Sequence, residues 1–173
     1  FLQERRLSRK SREIDDRHSL ANDATGQIDD RPGIVVGSEN DVAVADRYAY
    51  VTAGQSGLRA LDLLTPAVPV EVGALSTFSF AQGIAISGTY AVIADFVSGL
   101  RIVDIASPDA LVEVGRYDML AHPLDVALLG GLAYVSTDQG LEIVDVSNPT
   151  APILVARRDL PGVAAKVVIS GSD

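Results

Sequence analysis

The sequence contains no cysteine and no tryptophan, and aromatic residues make up only 5% of its 173 residues. Without cysteine, the chain has no disulfides, no thiolate metal ligands and no thiol nucleophile. With so few rings, a core has to be built from valine, isoleucine, leucine and alanine. No apolar run approaches the roughly 20 residues that a membrane helix needs, so we expect no membrane span.

Positive charge is also scarce, because 14 Lys and Arg stand against 23 Asp and Glu, which gives a net charge of −9. Non-specific binding to nucleic acid depends on clustered basic side chains that neutralise phosphates. The composition therefore predicts no nucleic-acid partner. Apolar residues, by contrast, make up 47% of the chain, which is enough for a packed core.

Residues 1–30 differ from the rest of the chain, because basic and acidic side chains are mixed there with few large apolar ones. Such a composition favours a solvated segment that does not fold by itself. The basic residues are followed at once by acidic ones, which argues against an anion-binding patch. We expect a charged leader over 1–30, disordered or weakly helical, followed by propeller blades over 31–173.

From Asp41 onward the chain repeats itself, with a period of 42, 42 and 41 residues. The copies span residues 41–82, 83–124 and 125–165, and a partial fourth copy spans 166–173. Equivalent positions keep the same kind of side chain in all three full copies. They include three glycines and three aspartates: Gly57, Gly99, Gly140, Asp62, Asp104 and Asp145.

Each copy contains four short apolar runs, which in the second copy read GIAIS, YAVIAD, GLRIVDI and VEVGRY. Runs rich in Val, Ile and Tyr between Gly- and Pro-containing turns predict strands. Four strands in a period of about 40 to 50 residues are typical of β-propeller blades. The predicted fold class is therefore all-β, a β-propeller segment of about three four-stranded blades with a partial fourth.

Closed propellers have about four to eight blades, so three copies and part of a fourth do not close a ring. We expect the chain to be a fragment, with further blades in the same full-length protein. Self-association of several chains is the alternative. Either arrangement would cover the apolar faces of the two outer blades.

The runs "GLRIVDIASP" and "GLEIVDVSNP", with the preceding "YAYVTA" and "LAYVST", resemble the LVIVD-repeat propellers of bacterial and archaeal surface or secreted proteins. The resemblance covers residues 41–173. The first copy departs from the pattern, because Ala60 stands where the others have Ile102 and Ile143. The resemblance implies an extracellular or cell-surface location and a role in binding or adhesion.

The repeated aspartates and glycines invite a chemical interpretation, but a residue that recurs at the structural period is usually structural. We interpret the Asp62, Asp104 and Asp145 carboxylates as acceptors for backbone N–H groups of a nearby turn. The three glycines supply a backbone conformation that other residues resist. No catalytic residue, metal site or cofactor is predicted, because the chain has only two histidines and no nucleophile-elbow pattern.

The loops in which the copies differ are better candidates for binding. Loops between the second and third strands, and connections between blades, gather on one face of a propeller. Aromatic and acidic side chains on rigidly held loops suit a protein or glycan ligand. The candidate binding residues are Phe78, Phe80, Asp95, Phe96, Met119, His122 and Asp138.

The favoured function is therefore a non-enzymatic binding, adhesion or scaffold module of a cell-surface or secreted protein. The alternative is a propeller-based enzyme, a hydrolase or a lyase, whose site lies in blades outside this chain. The first strands read VAVA, IAIS and VALL, and their small apolar residues argue against a catalytic site in these three copies.

Overall fold

The computed structural model describes residues 41–76 and 79–170. Over these residues the chain forms three four-stranded antiparallel sheets and no helix, and each sheet is built from one copy of the repeat. The predicted fold class is confirmed. The predicted leader over 1–30 and residues 31–40 lie outside the described residues, so the domain boundaries stay predictions.

The three sheets are called blades, and their strands follow the order of the chain. Blade 1 consists of β1 (Asp41–Ala45), β2 (Tyr48–Thr52), β3 (Leu58–Asp62) and β4 (Val70–Leu75). Blade 2 consists of β5 (Ala81–Ser87), β6 (Tyr90–Asp95), β7 (Gly99–Asp104) and β8 (Val112–Tyr117). Blade 3 consists of β9 (Pro123–Leu129), β10 (Leu132–Thr137), β11 (Gly140–Asp145) and β12 (Ile153–Asp159).

A two-residue turn joins the first and second strand of every blade. The pairing of Ala45 with Tyr48 leaves only Asp46 and Arg47 between β1 and β2. Hairpins this tight require a positive φ at the first turn residue, which glycine and aspartate tolerate best. The φ angles are 53° at Asp46, 58° at Gly88 and 59° at Gly130.

The core consists of two apolar layers, one between each pair of adjacent blades. The layer between blades 1 and 2 contains Tyr50, Leu58 and Ile93, and the layer between blades 2 and 3 contains Leu100 and Val135. All these side chains are at most 2% exposed. Each blade thus covers one face of its neighbour, and the first strands β1, β5 and β9 lie side by side.

The outer strand of one blade approaches the proline turn of the next blade so closely that only glycine fits. A Cβ built on Gly73 would lie 1.9 Å from the carbonyl oxygen of Pro108 in blade 2. A Cβ on Gly115 would lie 1.9 Å from the carbonyl oxygen of Pro149 in blade 3. The repeated proline turn of one blade is therefore seated against the backbone of the preceding blade. The equivalent residue of blade 3 is Ala156, which is exposed.

Carboxylates on β1 and β9 each bond the following copy of the repeat. Asp41 accepts the N–H of Ile84 in blade 2 at 3.0 Å, and Asp125 accepts the N–H of Val167 at 3.0 Å. The two N–H groups lie at equivalent positions of the repeat. Gly83 stands at the corresponding position of blade 2, where a Cβ would lie 2.6 Å from an oxygen of the Asp125 carboxylate.

Candidate binding site between blades 2 and 3

The three repeated aspartates hold the start of the proline turn in their own blade. The carboxylates of Asp62, Asp104 and Asp145 each accept the N–H of the residue two positions ahead, at 2.8, 2.9 and 2.9 Å. At Asp145, the hydrogen bonds from Ser147 lower the pKa of the carboxyl. The three side chains lie in three different blades, and each one serves its own turn.

The three repeated glycines begin the third strand with a positive φ of 81° at Gly57, 79° at Gly99 and 145° at Gly140. Space is restricted as well as conformation. A Cβ on Gly99 would lie 2.2 Å from the carbonyl oxygen of Tyr117, and one on Gly140 would lie 2.2 Å from that of Arg158. The backbone of the blade therefore requires glycine at these positions.

The loops between second and third strands and the connections between blades lie on the same side of the sheets, which we call the loop face. Backbone hydrogen bonds join the two kinds of loop. The N–H of Phe96 donates to the carbonyl of Phe80 at 2.9 Å, and the N–H of Asp138 donates to the carbonyl of His122 at 3.1 Å. Residues from neighbouring blades are thereby brought within reach of one another.

Three of the predicted binding residues meet on this face. The rings of Phe96 and His122 stack with centroids 4.6 Å apart and an interplanar angle of 13°. The Nδ1 atom of His122 lies 2.8 Å from Oδ2 of Asp138, and its backbone N–H donates to Oδ1 at 3.0 Å. We call Phe96, His122 and Asp138 the loop-face triad. It joins the β6–β7 loop to the β10–β11 loop through the connection between the blades.

The triad is partly open to solvent. The side chains of His122 and Asp138 are 48% and 32% exposed. The hydrogen bond from His122 lowers the pKa of the Asp138 carboxyl, so this group is ionised at neutral pH. An aromatic face, an imidazole and a carboxylate therefore lie side by side on one rigid surface.

Next to the triad, a shallow pocket of about 430 Å³ lies against Phe80 and Phe96. Val97 completes its apolar wall, and the amide side chains of Gln55 and Gln82 supply polar groups. Such a mixture of apolar walls and a few polar groups is typical of ligand sites. The pocket draws on loops of blades 1 and 2, so it extends the site across the first blade boundary.

The other predicted binding residues have different surroundings. Asp95 is fully buried and accepts hydrogen bonds from the Ser79 hydroxyl and from the N–H of Phe80, the latter at 3.0 Å. Its carboxylate positions the connection that carries Phe80. Met119 is half-buried against the layer between blades 2 and 3. Phe78 lies outside the described residues.

Two features of the site escaped the sequence reasoning. Val97 and Leu120 are 68% and 88% exposed and add apolar surface to the loop face. Their signal was present, since both occupy loops in which the copies differ. The ion pair of the buried Arg101 with the partly exposed Glu113 was also missed. Arg59 and Glu71 repeat this pair in blade 1, and a repeated pair attracts no functional interpretation.

Blade 3 has neither member of this ion pair, because a glutamate replaces the arginine and Leu154 replaces Glu113. Glu142 occupies the position of Arg59 and Arg101, is only 2% exposed, and lies 3.8 Å from the guanidinium of Arg157. Burial raises the pKa of its carboxyl.

In the described part of the chain, no group of three His, Cys, Asp or Glu side chains is placed to hold a metal ion.

The comparison with protein families agrees with the repeat. The family model described as "LVIVD repeat" matches residues 36–77, 80–119 and 122–159, which is more than half of the chain. The chain belongs to the LVIVD repeat family. The matches follow blades 1, 2 and 3, so the predicted resemblance is confirmed. No curated protein matched the chain.

Two solved structures show the same arrangement of sheets. The computationally designed Ika8 protein superposes with a TM-score of 0.63 and 11% identity, over 77% of this chain and 40% of that one. The computationally designed Ika4 protein superposes with a TM-score of 0.60 and 12% identity, over 76% of this chain and 78% of that one. At such identity the similarity shows the fold alone.

Membrane insertion through a helix finds no support in the described residues. Residues 41–76 and 79–170 contain no helix that is long and apolar enough to cross a membrane.

Proposed function

We propose that this LVIVD-repeat chain is a non-enzymatic binding or adhesion module of a cell-surface or secreted bacterial or archaeal protein, and that its ligand is a protein or a glycan bound on the loop face. The observation that supports this proposal best is that Phe96, His122 and Asp138 come from three separate loops and contact one another. The location is proposed from the family resemblance.

The surface around the triad has the composition of a recognition site. Phe80, Phe96 and Val97 form an apolar wall beside the pocket of about 430 Å³, and Leu120 adds an exposed apolar side chain. Aromatic anchors beside a polar rim carry most of the energy in protein recognition. The same flat rings, with carboxylate and amide groups at their edge, suit the apolar faces and hydroxyl groups of a sugar.

Hydrogen bonds to two carboxylates hold the frame under the site, which favours binding by a preformed surface. The connection that carries Phe80 is held by the buried Asp95 carboxylate, and the connection that carries His122 is held by Asp138. A preorganised surface loses little conformational entropy when a ligand binds. The loops are therefore suited to recognition without a large rearrangement.

The experiment is a screen of the 173-residue chain on glycan and peptide arrays, with the strongest ligands measured again on variants. Replacing Phe96 by Ala removes the stacked ring, and we expect an affinity loss of about tenfold or more. Leu64→Ser is the matched control, because Leu64 is 72% exposed on the opposite side of blade 1. Equal affinities of the native chain and Phe96→Ala would contradict the assignment, as would an absence of any ligand.

The alternative function, a hydrolase or lyase, has one observation in its favour. The pairing of His122 with Asp138 at 2.8 Å is the orienting half of a catalytic triad. An enzyme would turn over its ligand, and His122→Ala would abolish turnover while leaving binding measurable. A binding module would leave each array ligand chemically unchanged, which mass spectrometry of the recovered ligand distinguishes directly.

A further inference from the structure

The loop face presents a different pair of side chains at each blade boundary. A backbone hydrogen bond joins Phe96 to Phe80 at the boundary between blades 1 and 2, and the equivalent bond joins Asp138 to His122 at the boundary between blades 2 and 3. The first boundary therefore has two phenyl rings where the second has an imidazole and a carboxylate. Both rings line the pocket of about 430 Å³, so this change between the copies gives the pocket its apolar wall.

The Phe96 ring is shared between this pocket and the loop-face triad. His122 stacks on one face of the ring, with an interplanar angle of 13°. The pocket therefore meets the other face or the edge of Phe96, together with the Phe80 ring, which has no part in the triad. Because the imidazole supports the Phe96 ring, a ligand in the pocket meets a surface whose orientation is already set.

Two amide side chains, those of Gln55 and Gln82, supply polar groups to the pocket. The backbone carbonyl of Gln82 accepts the hydroxyl of Thr52, which anchors this residue on the first strand of blade 2. In the part of the chain that the structure describes, neither amide group is hydrogen-bonded to the protein. Each amide has two N–H donors and one carbonyl acceptor, so both are available to the hydroxyl groups of a ligand.

The remaining polar group of the pocket, the Ser79 hydroxyl, is already engaged by the protein. It donates to the Asp95 carboxylate and accepts the N–H of Val97 at 3.1 Å. Among the described residues, no charged side chain lines the pocket. The neighbouring triad brings the Asp138 carboxylate, which is 32% exposed, to the same face. The surroundings therefore disfavour an anionic ligand and favour an uncharged one.

We propose, on the basis of the loop-face binding function proposed above, that this pocket takes an uncharged pyranose sugar of the β-glucose type. Such a ring has equatorial hydroxyl groups around its rim and C–H groups on its two faces. One face lies against Phe80 and Phe96, and rim hydroxyls bond the amides of Gln55 and Gln82. The pocket volume lies toward the lower end of the range for ligand sites, which fits a mono- or disaccharide.

Peptides are the competing ligands, because an apolar side chain would also suit the wall. The two amides favour the sugar, since each hydroxyl at its rim both donates to and accepts from an amide group. An apolar side chain offers neither donor nor acceptor at that edge of the pocket.

The test uses methyl β-glucopyranoside with the native 173-residue chain. Saturation-transfer NMR detects the bound ligand through its ring protons, and the side-chain NH₂ signals of Gln55 and Gln82 report the contacts at the rim. We expect a dissociation constant of about 1 mM, which is typical of a ligand of this size. Methyl β-glucuronide carries a carboxylate in place of the hydroxymethyl group and should bind about fivefold more weakly or worse.

Two variants alter the pocket and leave the triad intact. Phe80→Ala removes one ring of the wall and should weaken glucoside binding by about tenfold. Gln82→Leu introduces the residue that the next copy has at this position, Leu124, and should weaken binding by about fivefold because the rim hydrogen bonds are lost. Gln139→Leu is the matched control, because Gln139 lies on the loop face of blade 3 outside the pocket, and it should bind as the native chain does.

Three results would overturn the proposal. The first is a native chain that shows no saturation transfer to the glucoside at about 10 mM. The second is an unchanged affinity in both pocket variants, and the third is a glucuronide that binds as tightly as the glucoside. An array peptide that binds through Phe96, in a chain that does not bind the glucoside, would reject the sugar assignment and leave the wider binding function standing. A chain that binds neither would reject both.

Discussion

The boundary between blades 1 and 2 and the boundary between blades 2 and 3 use the same backbone contact, a glycine against a proline turn, but different side chains around it. The first boundary has Tyr50 buried in its layer and an Asp41 carboxylate that bonds the next blade. The second boundary has Val92 and Gly83 at those positions. On its loop face, the second boundary carries the triad of Phe96, His122 and Asp138.

This difference shows how a repeat acquires a site. The contacts that set the distance between blades recur with the repeat, so side chains around them vary without changing the frame. Tyr50 and Ala60 pack in the first layer, and Val92 and Ile102 pack at the equivalent positions of the second. The shared positions maintain the geometry of the blades, and we propose that function lies in the positions where the copies differ.

The largest expected effect comes from the contact that both boundaries share. Gly115→Ala places a Cβ 1.9 Å from the Pro149 carbonyl oxygen, and the backbone has to move to relieve the clash. We expect the free energy of unfolding to fall by about 3 kcal/mol or more. Urea denaturation followed by circular dichroism measures this loss of unfolding free energy.

Two variants calibrate this result. Gly73→Ala should cost as much as Gly115→Ala, because the same contact is made at the first boundary. Ala156→Gly lies on the exposed β12 and should cost no more than about 1 kcal/mol. A Gly115→Ala chain as stable as the native one would show that the blades do not approach in this way.

The ion pairs of blades 1 and 2 differ in burial and should differ in energy. Glu113→Gln removes one of the two carboxylates beside Arg101, the other being Asp95 at 3.9 Å. The Arg101 side chain is 2% exposed, and we expect a loss of about 2 kcal/mol. Glu71→Gln affects Arg59, whose side chain is 24% exposed, and should cost less than about 1 kcal/mol. Equal losses in urea denaturation would refute the assigned difference in burial.

Tyr50 should contribute through its hydroxyl as well as its ring. Tyr50→Phe keeps the ring in the layer but leaves the Ile105 carbonyl without this donor, which should cost about 1 kcal/mol. Tyr134 is the equivalent residue of blade 3 and is half-buried, so Tyr134→Phe serves as the control and should cost less. The prediction fails when both variants lose the same free energy of unfolding.

The smallest expected effect is a pH dependence in blade 3. Burial raises the pKa of Glu142 above its ordinary value of 4.5, so the folded chain binds this proton more tightly than the unfolded chain. The contribution of this group to stability is therefore greatest below about pH 4.5 and is lost as the pH rises through its raised pKa. Glu142→Gln should remove this loss and make the chain slightly more stable at neutral pH. Urea denaturation at a series of pH values checks it, and an unchanged profile in the variant would contradict the account.

Much of the fold followed from the period alone. The run DVAVA coincides with β1, and VEVGRY coincides with β8, because turn residues bound both of these strands in the sequence. The strand predicted as GIAIS begins two residues earlier, at Ala81. Ala81 pairs with Asp95 of β6 across a bulge, and its N–H also bonds the carbonyl of Gly54 in the preceding blade. The sequence pattern of one blade does not predict a contact between two blades.

The site was predicted less completely for the same reason. Variation between copies singled out both Asp95 and Asp138, but only the fold shows that one is buried and the other half-exposed. Blade 3 is one residue shorter in this loop, which moves its carboxylate one position along the chain. The stacking of Phe96 on His122 joins two copies of the repeat, and an alignment of the copies carries no distance between them.

The measurement that tests this account most directly is the nuclear Overhauser spectrum of the native chain, recorded for the rings of Phe96 and His122. We expect strong cross-peaks between the two rings, because their centroids lie 4.6 Å apart. We also expect Asp138→Ala to weaken these cross-peaks, because His122 then loses the partner that orients its ring. A spectrum without cross-peaks between the rings would contradict the claim that the loops of blades 2 and 3 form a single site.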